Sequence, residues 1–226
     1  MENAKFVLKP LMWNNKNYKK PSGEKVWSGW AKKHGFGAEE WNNSPRMISA
    51  DREQRYFHTE AGDKIKEKMR EFNDKFMIFM IASHQGKQWL LGMAGKATFI
   101  PTDCGKAAKI VSEVQLDKFG RDDLLKVETV RTIYKSEEEF DAFWNGPKGV
   151  KAMTFWSCCS CNFLWLCHPV SIEASKITGK KKFCQMHGNY QNLDYNEAKN
   201  IICYVPKNER TEEWRALFRL VDGAAA

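Results

Sequence analysis

Nine lysine and arginine residues lie between Met1 and Arg46, at positions 5, 9, 16, 19, 20, 25, 32, 33 and 46, against four glutamates at 2, 24, 39 and 40. Trp13, Trp27, Trp30, Phe36 and Trp41 are interleaved with them. Cations attract phosphate without reading sequence, and aromatic faces stack on unpaired bases at ~1–3 kcal/mol each. This pattern makes Lys16, Lys19, Lys20, Lys32, Lys33 and Arg46 candidate phosphate contacts. Trp13, Trp30 and Trp41 become candidate walls of a base pocket, with the amides of Asn14, Asn42 and Asn43 for a base edge. Ser28-Gly29 and Gly35 permit close approach, and His34 and His84 complete the group. The competing reading makes the tryptophans core and the lysines a solvated face. Interleaving within a loop, without periodicity, favours nucleic acid.

A second constellation is the cysteine cluster. Five of the seven cysteines fall between Cys158 and Cys184. Cys158-x-x-Cys161 and Cys184-x-x-His187 are two pairs at metal-knuckle spacing, and four such ligands would make a closed structural zinc site. Trp156, Phe163, Leu164, Trp165 and Leu166 make the same region strongly apolar, and cysteines are also common as small core residues. An odd number of cysteines, so clustered, suits a reducing compartment, which places the chain in the cytoplasm, or in the nucleus of a eukaryote.

Known catalytic patterns are missing. The chain has no G-x-x-x-x-G-K-[ST], no G-x-G-x-x-G after a strand, no G-x-S-x-G and no H-E-x-x-H. Glu113 and Glu128 lack the following Glu-x-Lys of a metal-dependent nuclease. A non-enzyme with no required cofactor is expected. The longest apolar run, Phe76 to Ala82, is far short of the ~20 residues that span a bilayer. With 36 Lys+Arg against 28 Asp+Glu, the net charge of +8 favours an anionic partner.

The elements that must position these residues can be sketched from periodicity. Lys5 to Trp13 reads as a short strand interrupted by Pro10, and Asn14 to Pro45 as a functional loop. Ile65, Met69 and Phe72 mark a surface helix over 62–73. Lys75–Ser83 and Gln88–Ile100 form a β-hairpin through His84-Gln85-Gly86-Lys87. Ser136-x-x-Glu139 is a capping box for a helix burying Phe140, Phe143 and Trp144. Ala198, Ile201, Ile202 and Val205 mark another helix, and Trp214, Leu217, Phe218 and Val221 a last one starting near Thr211. A boundary is expected at Asn145–Gly149. It would divide a β-rich core over 1–148 from a Cys-rich, helical part over 149–223, with 224–226 a cloning scar.

Phe76–Ser83 followed by Trp89-Leu-Leu-Gly-Met-Ala-Gly resembles the hairpin of EVE and related PUA-like domains, which include the YTH readers. F-V-L-K-P-L-M-W (6–13), P-S-G (21–23), S-G-W (28–30) and H-G-F-G-A-E-E-W-N-N (34–43) look like the start of EVE-like specificity modules in modification-dependent restriction systems. P-V-S-I (169–172), I-T-G-K (177–180) and G-N-Y-Q (188–191) look like their tail. The resemblance implies an α+β fold: a small curved PUA-like β-barrel with helices around it and a helical C-terminal part. It implies a non-catalytic module that flips a modified base of DNA, 5-methyl- or 5-hydroxymethylcytosine, into an aromatic pocket. Its partner would be a restriction nuclease domain outside this chain, with no membrane involved. Two readings stay open beside it, a reader of modified RNA and a peptide-binding domain.

Overall fold

The computed structural model of the chain describes residues 4–24, 29–60, 76–102 and 105–225. The helix expected over 62–73 lies outside these residues, as do Lys25, Trp27 and Ser28. The fold is α+β, with seven strands in one mixed sheet. They are β1 (Lys5–Leu11), β2 (Gln54–Phe57), β3 (Phe76–His84), β4 (Lys87–Ile100), β5 (Phe155–Cys159), β6 (Phe163–Ile172) and β7 (Gln191–Asn192). Eight α-helices are described: α1 (Gly29–His34), α2 (Lys106–Val114), α3 (Leu116–Leu124), α4 (Glu128–Ile133), α5 (Glu137–Trp144), α6 (Ala174–Thr178), α7 (Tyr195–Cys203) and α8 (Glu212–Asp222). No helix among the described residues is long and apolar enough to cross a membrane.

The chain divides into two compact units, each assembled from separated stretches. The first comprises Met1–Trp13, Glu60–Phe99 and Ser157–Ala226; the second comprises Asn14–Thr59 and Ile100–Trp156. This replaces the boundary expected at 145–149, where Gly146 and Gly149 merely follow α5 inside the second unit. Local composition marks a change of element; it does not see which distant stretches pack together.

In the first unit the expected hairpin is present. β3 and β4 pair antiparallel, joined by Gln85 and Gly86, both at positive φ (50° and 75°), as a two-residue hairpin turn requires. β1 runs parallel to β3 from Lys5↔Phe76 to Leu11↔Ala82, continuous through Pro10, so the proline does not interrupt it. β6 pairs with β4, and β7 adds two residues against β1. The sheet path is open, which corrects the closed barrel: a two-residue edge strand offers too few ladder bonds to close one. Leu8, Phe79, Ile81, Leu90, Met93 and Leu166 are buried with Ile201 and Ile202 of α7 and Leu217 and Val221 of α8. Thr211 caps α8 by accepting from the Trp214 N–H, as its spacing predicts.

The second unit is largely helical, so the expectation of a β-rich first part is corrected there. Ile110 and Val114 of α2, Phe119 and Leu124 of α3, and Phe140 and Trp144 of α5 bury a shared core with Phe36, Trp41, Tyr134 and Phe155. Ser136 caps α5 by accepting from the Glu139 N–H, while the Glu139 carboxylate accepts from Lys135 rather than from Ser136. One half of the predicted capping box is thus formed.

Candidate nucleic-acid interface

The lysines at 16, 19 and 20 sit on a loop that the second unit pins from both sides. Asn14 Oδ1 accepts from the N–H of Lys16 (2.7 Å) and Tyr18 (3.3 Å), and its Nδ2 donates to the Lys20 carbonyl (3.0 Å). Asn43 donates its backbone N–H to the Tyr18 carbonyl (2.8 Å) and its Nδ2 to that of Asn17 (3.0 Å). Asn17 and Tyr18 both have left-handed backbone, φ 50° and 55°. For a side chain as bulky as tyrosine this conformation is strained and persists only where its surroundings impose it. Here the Tyr18 ring is wholly buried while the three lysines remain exposed. The loop is a rigid display of positive charge.

Beneath it lie Glu39 and Glu40, both buried on a 3-10 turn at Ala38–Trp41. Burial, and secondarily the neighbouring Glu39, pushes the Glu40 carboxyl up to about 8, although Ser22 donates to it from both backbone and hydroxyl. Burial likewise raises the Tyr18 hydroxyl well above its ordinary value, with Glu39 and Glu40 adding to the effect. This direction favours the protonated form of Glu40 near neutral pH. A cleft of about 390 Å³ opens beside the loop, lined by Lys16, Lys20, Pro21, Ser22, Gly23 and by Asp123, Lys126, Val127, Glu128, Thr129.

The candidate base pocket is not assembled as predicted. Trp41 is 1% exposed and donates Nε1 to Asp123 (3.2 Å), so it is a core residue and presents no open wall. Asn42 is equally buried: its Nδ2 donates to the His58 carbonyl, and its Oδ1 accepts from the His58 N–H, both at 2.8 Å. That amide is used up inside the fold, and those of Asn14 and Asn43 hold the loop instead of reading a base. His34 is buried against Phe143 (4.3 Å, 14°), with Nδ1 2.5 Å from the Tyr134 hydroxyl. Burial, then Lys33 and Lys148, lowers its pKa, so the ring is neutral at neutral pH.

Trp30 is 38% exposed, although its ring packs against His34 (4.6 Å) and edge-on against Phe36 (5.0 Å). Gly29, at φ 72° in open space, starts the short helix α1 that carries it, with Lys32 and Lys33 exposed in the same helix. Arg46 lies over the Phe119 ring (4.5 Å) and 3.9 Å from Asp123. Trp13 and His84 belong to the other unit, where they stack on each other at 4.3 Å and 10°. Each thereby covers one face of the other.

The zinc knuckles are not formed either. Cys158 and Cys159 are successive residues of β5, so their side chains take opposite faces; Cys158 is buried and Cys161 exposed. Cys159 Sγ accepts from the Cys161 N–H (3.4 Å), and Cys184 donates its N–H to Gln191 Oε1 (2.9 Å). The carbonyl of His187 receives Lys9 Nζ. Among the described residues no three His, Cys, Asp or Glu side chains converge as metal ligands. Lys126 carries no signal in the sequence, because nothing local links residue 126 to residues 16–23. No family model, no curated protein and no solved structure matches this chain.

Proposed function

We propose that this chain is a non-catalytic nucleic-acid-binding module whose phosphate contacts lie on the second unit. The observation that carries this reading is the loop pinned by Asn14 and Asn43 that holds Lys16, Lys19 and Lys20 exposed. A loop already fixed loses little conformational freedom when it meets the phosphate backbone. Lys32, Lys33 and Arg46 extend the positive charge. Trp30 offers a face on which an unpaired or flipped base can stack, and through it a modified cytosine in DNA would be read. An open sheet does not enclose a base, so selectivity in this reading rests on Trp30 and not on a barrel interior.

Fluorescence anisotropy with DNA duplexes carrying cytosine, 5-methylcytosine or 5-hydroxymethylcytosine, single strands and RNA tests this directly. Affinity is expected to fall steeply with salt, and replacing Lys16 and Lys19 by Ala to flatten the log–log slope by about one per contact. Trp30→Ala is expected to remove ~1–3 kcal/mol from binding, mostly for the preferred modified oligonucleotide. Absence of salt-dependent binding to every oligonucleotide overturns the reading. Metal-dependent cleavage by the purified chain overturns its non-catalytic part.

A further inference from the structure

The cleft beside the lysine loop has features that a surface merely following a phosphate backbone does not require. Its volume, about 390 Å³, falls in the ~300–1,000 Å³ range of small-ligand sites. Lys16 and Lys20 line it from the loop, and Lys126 from the turn between α3 and α4. Of the two carboxylates on its lining, Asp123 already accepts from Trp41 Nε1 and faces Arg46. Buried Pro21 and Val127 give it an apolar base, and at Gly23 an added Cβ would lie 3.4 Å from Val127 Cγ1, so the two walls meet closely there. Lys19, on the same loop, does not line it.

We propose that this cleft receives a terminal phosphate monoester, either the phosphorylated end of a nucleic-acid strand or the phosphate of a nucleotide. A monoester carries about −1.5 to −2 charge and three acceptor oxygens, which suits a cleft lined by three lysines. An internal phosphodiester carries one charge and only two free oxygens, so it engages fewer of the three lysines on this lining. For the strand-end source the proposal rests on the nucleic-acid reading above; for the nucleotide source it does not.

The test uses the full chain and one short oligonucleotide bearing a 5′-hydroxyl, a 5′-phosphate or a 3′-phosphate, alongside a nucleoside monophosphate as free ligand. One phosphorylated end is expected to bind about tenfold more tightly than the hydroxyl end. Lys126→Ala should abolish that preference and Lys126→Arg largely restore it, while Lys19→Ala weakens all oligonucleotides alike. Both lysines are exposed, so neither variant threatens the fold. Equal affinity for hydroxyl and phosphate ends, with no Lys126-dependent binding of the nucleoside monophosphate, overturns the proposal and leaves the nucleic-acid reading intact. Should no oligonucleotide bind, Lys126-dependent binding of the nucleoside monophosphate upholds the cleft as a nucleotide site. Failure of that ligand as well overturns both.

Discussion

The two units bury different chemistry. The first packs mostly aliphatic side chains and methionines, with Phe6 and Phe79 among them, of β1, β3, β4 and β6 with Phe183, α7 and α8. The second interlocks rings: His34 stacks on Phe143, Phe143 lies 5.2 Å from Tyr134, Phe140 stacks on Trp144 at 5.9 Å, and Trp41 meets Phe119 edge-on at 6.4 Å. An aliphatic core under a sheet is organised by the strand repeat. The rings of the second unit carry polar handles as well: Trp144 Nε1 at the end of α5 donates to the Asp117 carbonyl (2.7 Å), and Trp156 Nε1 on β5 to Thr59 (2.8 Å). Such handles fix loops that have no ladder of their own. The abundance of tryptophan, read at first as binding surface, largely builds the scaffold on which the binding loop stands.

Substitutions can break this contrast. Trp144→Ala is expected to have the largest effect, about 3–5 kcal/mol by chemical denaturation, since the ring is 1% exposed and its donor bond is lost with it. In the aliphatic unit Leu217→Met, which conserves volume, should cost less than about 1.5 kcal/mol. A ring core that tolerated truncation as easily as this swap would erase the distinction.

The buried carboxyl supplies the next effect, and it depends on pH. Glu40 is raised from 4.5 to about 8, so between these values the native state holds a proton that the unfolded state has released. Its contribution is fully present below pH 4.5 and is lost as pH rises through 8, at about 1.4 kcal/mol per unit. Glu40→Gln should flatten the decline in stability across this window. An unchanged slope would show that Glu40 is not the group releasing the proton.

Gly92→Ala probes the first unit. An added Cβ would lie 2.6 Å from the Leu164 carbonyl oxygen and 2.9 Å from the Trp165 ring, where β4 faces β6. The expected cost is about 1–3 kcal/mol, with thermal melting as the measure. The smallest effect belongs to the ion pair of the second unit, in which Arg121 donates to both carboxylate oxygens of Asp141 (2.5 and 2.9 Å). With both side chains partly exposed, it should contribute no more than about 1 kcal/mol, so Asp141→Asn is expected to be mild and weaker still in high salt.

Strictly local signals carried through from sequence to structure. The hairpin, the helix after Ser136 and the two C-terminal helices lie within a few residues of their predicted positions. Helix α2 is equally legible, since Ala107, Ile110, Val111 and Val114 repeat at helical spacing. What could not be read was the use of side chains with two equivalent roles. An asparagine that recognises a base edge and one that ties down a loop look alike in sequence, and Asn14, Asn42 and Asn43 all proved to bond within the fold. Likewise Cys158 and Cys161 have knuckle spacing, but β5 extends the chain there and turns Cys158 into the interior. The interleaved units were hidden for the same reason: only long-range packing defines them.

That interleaving has a consequence for biosynthesis. A chain made from its N-terminus holds every residue of the second unit once Trp156 has emerged, whereas the first still lacks Ser157–Ala226. β6, α7 and α8 all lie in that stretch, so β3 and β4 must wait with their apolar side chains uncovered. The second unit can therefore mature on the ribosome while the first remains a sticky, half-finished sheet, the condition that recruits chaperones or seeds aggregates. Nascent chains arrested after Trp156 are expected to show native-like tryptophan burial together with strong binding of a hydrophobic dye, and release of the final segment to abolish the dye signal.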